Sequence, residues 1–490
     1  MRKRVFGIET EFGCFVRDNS VGPPEKVVQA VKDYAFQKKR IGALDMHARN
    51  YAFEPARSGG FLINGGRLYI DAVGDHEEYA TPECASIFDI VAHDRAGQRI
   101  LQNILNEMDL ADRVSFHNNS IDHFGGHTFG CHENYLVSLT SDFFHEAVTF
   151  LMPFLVTRQI FAGAGRVGGH RLNRHDLRHN IMSLSDNEAD YLWIHDFYGV
   201  EIDNSVRYQL SQRADHIVKA VSGKVRFNRA IINPRWDSYY TYDGQHRLHL
   251  LFGESNMSEY ALALKVGTTC LVLDLVEMRQ VPPSVRIADP VRTLKEISRD
   301  QTLRWIVKRA DGTTIPAIDL QRIYLEAAKR NLSPSDPETE WILREWESVL
   351  DGLEKDPLSM SDRLDWAAKR RLIETYMEAE GVGWDADVLH SLDLEYHNIN
   401  PSQGLFYALQ DAGEVRRVVT DEAVQKATTS PPSNTRAAGR AYVVREILAK
   451  GNRRYVVDWD SIYVDRGACL ELKDPFCTYI REAARFSSKL

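Results

Sequence analysis

Glu9 and Glu11 stand two residues apart in Gly7-Ile8-Glu9-Thr10-Glu11-Phe12-Gly13, near the start of the chain. An extended strand has a side-chain period of two, so both carboxylates share one face while Phe6, Ile8, Thr10 and Phe12 share the other. Adjacent carboxylates repel unless a positive charge lies between them. A hard divalent cation with oxygen ligands, typically Mg²⁺ carrying nucleotide phosphates, is the usual resolution. Taken alone, Glu-x-Glu also fits the solvated outer face of an edge strand.

Three further segments supply matching chemistry. In Arg67-Leu68-Tyr69-Ile70-Asp71, fed by the turn Asn64-Gly65-Gly66, the alternation puts Arg67, Tyr69 and Asp71 on one face and Leu68 and Ile70 on the other. Asp75-His76-Glu77-Glu78-Tyr79-Ala80-Thr81-Pro82-Glu83 adds three glutamates around a hydroxyl. Carboxylates to hold a metal and an arginine to neutralise phosphate oxygens are what a metal–nucleotide site needs. A surface Arg–Asp pair and a solvated acidic loop are the plainer readings of these two segments. The third runs through Gly125-Gly126-His127 to Gly130-Cys131-His132-Glu133, where glycines allow close backbone approach. His127 and His132 lack a second His or Cys at ligand spacing on one element, so a structural histidine is preferred to zinc. Gly163-Ala164-Gly165-Arg166 lacks the Lys-Ser/Thr of a phosphate loop. Arg166, Arg213, Arg235 and Arg247 are candidate clamps for phosphate or carboxylate, although most arginines simply solvate a surface.

These side chains need a sheet to hold them. Strands are expected at 4–12, 67–71 and 133–138, and helices at 142–162, 317–330, 338–354 and 362–380, where apolar residues recur at three- and four-residue spacing. The apolar run 266–273 reads either as a strand or, continued to Glu277, as a buried helix. Strands early and helices late predict an α+β fold. Composition shifts near 412–435, which suggests a catalytic domain over 1–412 and a small C-terminal domain over 413–490. With 490 residues, 43% of them hydrophobic, and a net charge of −9, the chain is an ordinary globular protein with no bulk attraction for nucleic acid or an anionic membrane. Six cysteines without paired metal spacing, no secretory stretch after Met1-Arg2-Lys3-Arg4 and no membrane-length apolar run lead to the expectation of a cytoplasmic protein.

The segments 7–13, 67–71 and 78–84 resemble the Pup ligase and Pup deamidase/depupylase family. So do Gly130-Cys131-His132-Glu133-Asn134-Tyr135-Leu136, 153–159, Leu210-Ser211-Gln212-Arg213-Ala214, 255–259, Val457-Asp458-Trp459 and Lys473-Asp474-Pro475-Phe476. The likeness spans nearly the whole chain in order. It implies a glutamine-synthetase-like curved antiparallel sheet forming a nucleotide cradle packed by helices, with a small C-terminal α/β domain. It also implies ATP with Mg²⁺, a Pup-like small protein modifier and lysine-bearing protein substrates. Carried over by position, Glu9, Tyr69 and Glu78 would be metal ligands, Arg67, Thr81 and Trp459 ATP contacts, and Asp71 the general base. Glu11, Glu83 and Glu133 are further acidic candidates for the site.

The ligase branch joins the modifier's C-terminal glutamate to lysines through an acyl phosphate. The depupylase branch cleaves that isopeptide bond or deamidates a C-terminal glutamine. Cys131 before His132, the run 254–259 and 473–476 resemble the ligase, so a Pup–protein ligase is the expected function, with depupylase as its alternative. A small-molecule γ-glutamyl ligase and a catalytically silent modifier-binding protein are the other readings. Three departures stand out: a long segment between Cys14 and Gly66, an enlarged 167–209 region, and an altered stretch at Ile232–Tyr239.

Overall fold

A computed structural model describes the chain apart from residues 50–51, 72–75, 122–127, 139–142, 170–204, 224–228, 234–242, 333–335 and 465–466. The expected strands form. They are β1 (Phe6–Val16), β2 (Gly42–Arg49), β3 (Ala52–Leu62), β4 (Arg67–Ile70), β5 (Glu77–Ala80), β6 (Val114–His117) and β7 (Cys131–Ser138). Short β8 (Arg166–Val167) and β9 (Tyr208–Gln209) pair with each other, and β10 (Lys219–Val221), β11 (Ala230–Asn233) and β12 (Gln245–Leu250) follow.

Ten of these strands make one sheet in the order β10-β11-β12-β7-β1-β5-β4-β3-β2, with β6 paired to the far end of β1. All its pairings are antiparallel except β10 with β11. The sheet brings together strands lying between Phe6 and Leu250, and β1, which pairs with β5, β6 and β7, is the hub. Its alternation behaves as expected. Phe6 and Ile8 enter the large core with Ile87, Ile90 and Val91, while Phe12 joins Leu68, Tyr79, Leu101 and Ile104 in a second cluster. Each such side chain stabilises the fold by roughly 1.5–3 kcal/mol through burial, which pins the register and leaves Glu9 and Glu11 no choice of face.

Helices cover the apolar face. Ser86 caps the helix Ile87–Glu107 by accepting from the amides of Phe88 and Asp89. The ambiguous 266–273 run belongs to a helix, Glu259–Glu277, capped by Ser258 and buried on every side through Val276. Its length exceeds an ordinary strand, and a helix apolar all round is a core helix. The later helices form at Ala317–Asn331, Pro337–Lys355 and Asp365–Glu380. Over 142–162 the described helical turns are interrupted by a π-turn at Ala147–Leu151 and a break at Arg158. The fold is α+β, as the sequence suggested.

At the C-terminal end, strands Tyr455–Val457, Ser461–Val464 and Ala468–Glu471 form a separate antiparallel sheet flanked by helices Ala437–Lys450 and Ile480–Ser487. Its core takes in Ala43, Met46 and Phe61 from the β2–β3 hairpin. Val419, Val424 and Ala427, by contrast, belong to the large core. Residues up to Ala427 thus pack on the large core, and core residues from Val443 onward pack with the C-terminal sheet.

Candidate active site

The register assembles the acidic face directly. Glu11 lies opposite Glu78, and Glu78 lies opposite Tyr69, making one row across β1, β5 and β4. The next row runs Arg67, Ala80, Glu9 and His132, across to β7. Beyond it Asn134 faces His249 and Leu136 faces Arg247, both on β12. Directly opposed residues of antiparallel strands share a face, so carboxylates, histidines and arginines from five strands look into one cradle. Asp71 closes β4, its amide donating to the carbonyl of His76 at 2.9 Å.

Glu9 is the most heavily partnered member. Its carboxylate accepts from Asn134 Nδ2 at 3.1 Å and meets His132 Nδ1 at 3.3 Å, with His249 Nε2 and Arg247 each at 3.8 Å. Burial alone would raise its pKa, but the His132 hydrogen bond and the charges of His249, His132 and Arg247 hold it well below the carboxylate range. Glu11, also buried, is lowered to about 2 by its bond to His76 (Nδ1 3.1 Å) and by His132. Glu78 goes the other way. Burial first, then repulsion from Glu9, Glu11 and Asp71, push its carboxyl well up, despite a hydrogen bond to Tyr69. The Tyr69 hydroxyl is raised by burial and by Glu78 and Glu9.

Glu9, His132 and His249 each place one ligand atom within 4.8 Å of the others. The two imidazoles cross at 77° with ring centroids 5.1 Å apart. Nitrogen and carboxylate donors at this spacing, beside the Glu78 carboxyl that burial and then repulsion push up, fit a divalent cation. Gly130 preserves the geometry. A Cβ there would overlap Glu11 Oε1 and approach His132 Nε2 to 2.7 Å.

Glu9 also lines a cavity of about 450 Å³ between the sheet and the C-terminal unit, together with Ala80, Thr81, Glu83, Arg247, Arg436 and Trp459. The Thr81 hydroxyl accepts from the amide of Ile8 at 3.0 Å, which fixes β1 against the end of β5. Trp459 packs edge-on to Phe61 at 5.0 Å, and the Arg440 guanidinium lies 4.7 Å from the indole centroid. Arg440 donates to the carbonyls of Trp459 and Gly65, both at 2.8 Å, and pairs with Glu83. Arg67 lies over the Tyr69 ring at 4.5 Å and pairs with Asp45.

All seven residues carried over from the resemblance therefore fall on the cradle or its cavity. The weaker candidates divide. Glu11 is in the cradle. Glu83 lies at the cavity wall, but its charge is committed to Arg436 and Arg440. Glu133 points to the opposite face, fully buried, bonded to Arg158 and the Tyr135 hydroxyl. Among the arginines, Arg247 faces Glu9, Arg213 donates to the Phe129 carbonyl at 2.7 Å, and Arg166 lies 3.9 Å from buried Asp215. His127 and Arg235 are outside the described residues, as is most of 167–209. His132, read above as structural, stands in the cradle, and His76, Asn134 and His249 had not been singled out. Gln245-His246-Arg247-Leu248-His249-Leu250 does carry a period-two signal, with Arg247 and His249 on one face.

An acidic antiparallel sheet face opening into a cavity walled by tryptophan is suited to holding a cation and a phosphate-bearing ligand side by side. Residues 4–463 match the family described as Pup-ligase protein, and the chain belongs to that family. It is 36% identical to the Pup–protein ligase of Pseudarthrobacter chlorophenolicus and 36% identical to that of Actinosynnema mirum, over 97% of each chain in both cases. Among solved structures it is similar to the ligase PafA in its complex with the prokaryotic ubiquitin-like protein Pup, with a TM-score of 0.80 and 30% identity over 99% of this chain and 91% of that one. PafA in complex with ADP matches at a TM-score of 0.74 and 30% identity, over 95% and 93%.

Proposed function

We propose that this protein is an ATP-dependent carboxylate–amine ligase that joins the C-terminal glutamate of a Pup-like modifier to lysines of other proteins. The observation that carries the reading is Glu9: one residue that belongs both to the carboxylate–histidine cradle and to the cavity under Trp459. Family membership and relatives named as ligases, with one matched structure holding Pup and another ADP, favour ligase over depupylase.

Two steps are required. A carboxylate oxygen of the modifier's terminal glutamate attacks the γ-phosphorus of ATP, the bond to ADP breaks, and an acyl phosphate forms. The lysine nitrogen then adds to that carbonyl, phosphate leaves, and a proton departs from nitrogen. Positioning and electrostatics supply most of the rate in phosphoryl transfer. Thr81 and Trp459 bound the nucleotide cavity, and an indole is an apolar face for a purine. Arg67 bears on the phosphates. Asp71, just past the end of β4, would accept the lysine proton; a carboxylate is a weak base at neutral pH, so its contribution is reach more than basicity. Glu9, Tyr69 and Glu78 would hold Mg²⁺, with His132 and His249 adjoining, and the ion would neutralise phosphate charge. A cytoplasmic setting accompanies this reading: all six cysteines are unpaired, and no helix among the described residues is long and apolar enough to cross a membrane.

Hydroxylamine distinguishes the ligase from its alternative. With modifier and ATP but no acceptor protein, it should trap the activated carboxyl as a hydroxamate on the modifier. Absence of the hydroxamate, together with release of free modifier from a preformed conjugate, would assign the depupylase reaction instead.

A further inference from the structure

The strongest feature outside the acidic cradle is a carboxylate on its outer rim. Asp45 lies on β2, where the pairing with β3 breaks between Leu44↔Gly60 and Met46↔Pro55. Such irregularities re-aim a side chain. Ala43, two residues earlier, lies opposite Phe61, and Phe61 lies opposite Arg67, so this side of β2 continues the cradle face outward. Between Asp45 and the cradle, β3 presents Gly59, opposite Tyr69. A Cβ at Gly59 would overlap the Leu68 carbonyl and lie 2.6 Å from Tyr69 Cα, so no side chain can occupy that position. Beyond this bare position, Arg67 Nη2 donates to Asp45 Oδ2.

Arg67 is thereby held on three sides. The Tyr69 ring lies 4.5 Å from the guanidinium carbon, the Phe61 ring 5.6 Å, and the Asp45 carboxylate takes one edge. Both charged partners are shielded, with side-chain exposures of 25% for Arg67 and 15% for Asp45. A long, rotamer-rich arginine at a cavity edge has many orientations, and a charge-assisted bond selects one before any ligand arrives.

We infer that Asp45 is a positioning residue for nucleotide binding: it sets the guanidinium of Arg67 in the orientation that meets the phosphates and touches no substrate itself. The inference rests on the reading of Arg67 as a phosphate contact. It explains why a strand four places from β1 in the sheet carries a carboxylate toward an already acidic cradle. That carboxylate is spent on the cation beside the cradle rather than on the cradle itself.

The test is a double-mutant cycle on the intact protein with modifier, ATP and a lysine-bearing acceptor. Asp45→Asn keeps the shape and removes the charge. It should raise KM for ATP about tenfold and leave kcat within about threefold, the signature of lost ground-state binding. Asp45→Glu should recover most of that loss. Arg67→Met should also raise KM, and adding Asp45→Asn to it should cost less than about twofold more, because the residue being positioned is gone. An unchanged KM in Asp45→Asn, or two losses that simply multiply, would overturn the role of Asp45 while leaving Arg67 as a phosphate contact. An unchanged KM in Arg67→Met would overturn that contact and the inference together. A purely structural role for Asp45 would lower the melting temperature and the yield of active protein without this KM pattern or the rescue by glutamate.

Discussion

Glu9 and Glu78 look into the same cradle from adjacent strands, yet their carboxyls are driven in opposite directions. Glu9 is held ionised, against its burial, by His132, His249 and Arg247. Glu78 is pushed well above the ordinary carboxylate range by burial and by the charges of Glu9 and Glu11. A ligating carboxylate must be ionised, so the upward shift of Glu78 couples cation binding to the loss of a proton.

Proton release on cation binding follows from that pairing. Titrating Mg²⁺ with a nucleotide into the protein near pH 6.5, in buffers of different ionisation enthalpy, should show a proton released on binding. Its affinity should rise with pH, because Glu78 lies above its ordinary value and deprotonation favours the bound state. Glu78→Gln should abolish the linked release and weaken cation binding. An identical heat in all buffers would contradict the assignment.

Gly130 gives a sharper geometric test. Gly130→Ala inserts a methyl against Glu11 Oε1 and His132 Nε2. We expect cation affinity to fall at least tenfold, by analogy with losses at outer-shell positions. The melting temperature should shift only a few degrees, as expected for a displacement costing about 1 kcal/mol. Retained affinity in a folded Gly130→Ala protein would show that these two side chains do not define the seat.

Glu83 ties the sheet to the C-terminal unit through Arg440 and Arg436, and its carboxyl falls from the ordinary 4.5 to about 2. A depressed carboxylate stabilises the folded state fully above its unfolded pKa, and that contribution disappears as pH falls through the folded value. Between pH 4.5 and 2 the wild type should therefore lose on the order of 3 kcal/mol that Glu83→Gln never had. Urea unfolding across that window checks it. Parallel curves for the two proteins would remove the linkage.

Trp459 should report nucleotide directly. Its indole lines the cavity and is held by Arg440 and Phe61. Trp459→Ala should raise the dissociation constant for ADP by roughly tenfold or more, the scale of losing one stacked aromatic contact. Equilibrium binding by calorimetry would measure it, and an unaltered constant would place the base elsewhere.

Much of this site was legible because it lies on strands that alternate. Glu9, Glu11, Arg67, Tyr69 and Asp71 follow a period of two from buried Phe6, Ile8, Phe12 and Leu68, and the structure keeps that pattern. The same rule separates Glu133 from His132 and Asn134, which a motif read as a block obscures. His249 was hidden for a different reason. It meets Glu9 only because β12 pairs with β7 and β7 with β1, and no local spacing encodes two successive pairings across 240 residues. Asp45 depends on a register break and a bare glycine, which propensity does not reveal. The helix at Glu259–Glu277 was ambiguous because a segment buried on every side loses its periodic signal.

The most direct measurement is the intact mass of a lysine-bearing acceptor protein after incubation with a Pup-like modifier ending in glutamate, ATP and Mg²⁺. The wild-type protein should yield an adduct equal to acceptor plus modifier less one water, with one ADP formed per bond. Asp71→Asn should bind ADP normally and form that adduct at least about a hundredfold more slowly, the scale of a lost general base. An adduct formed equally fast by Asp71→Asn, or ATP turnover that joins glutamate to small amines and never touches the modifier, would contradict the account.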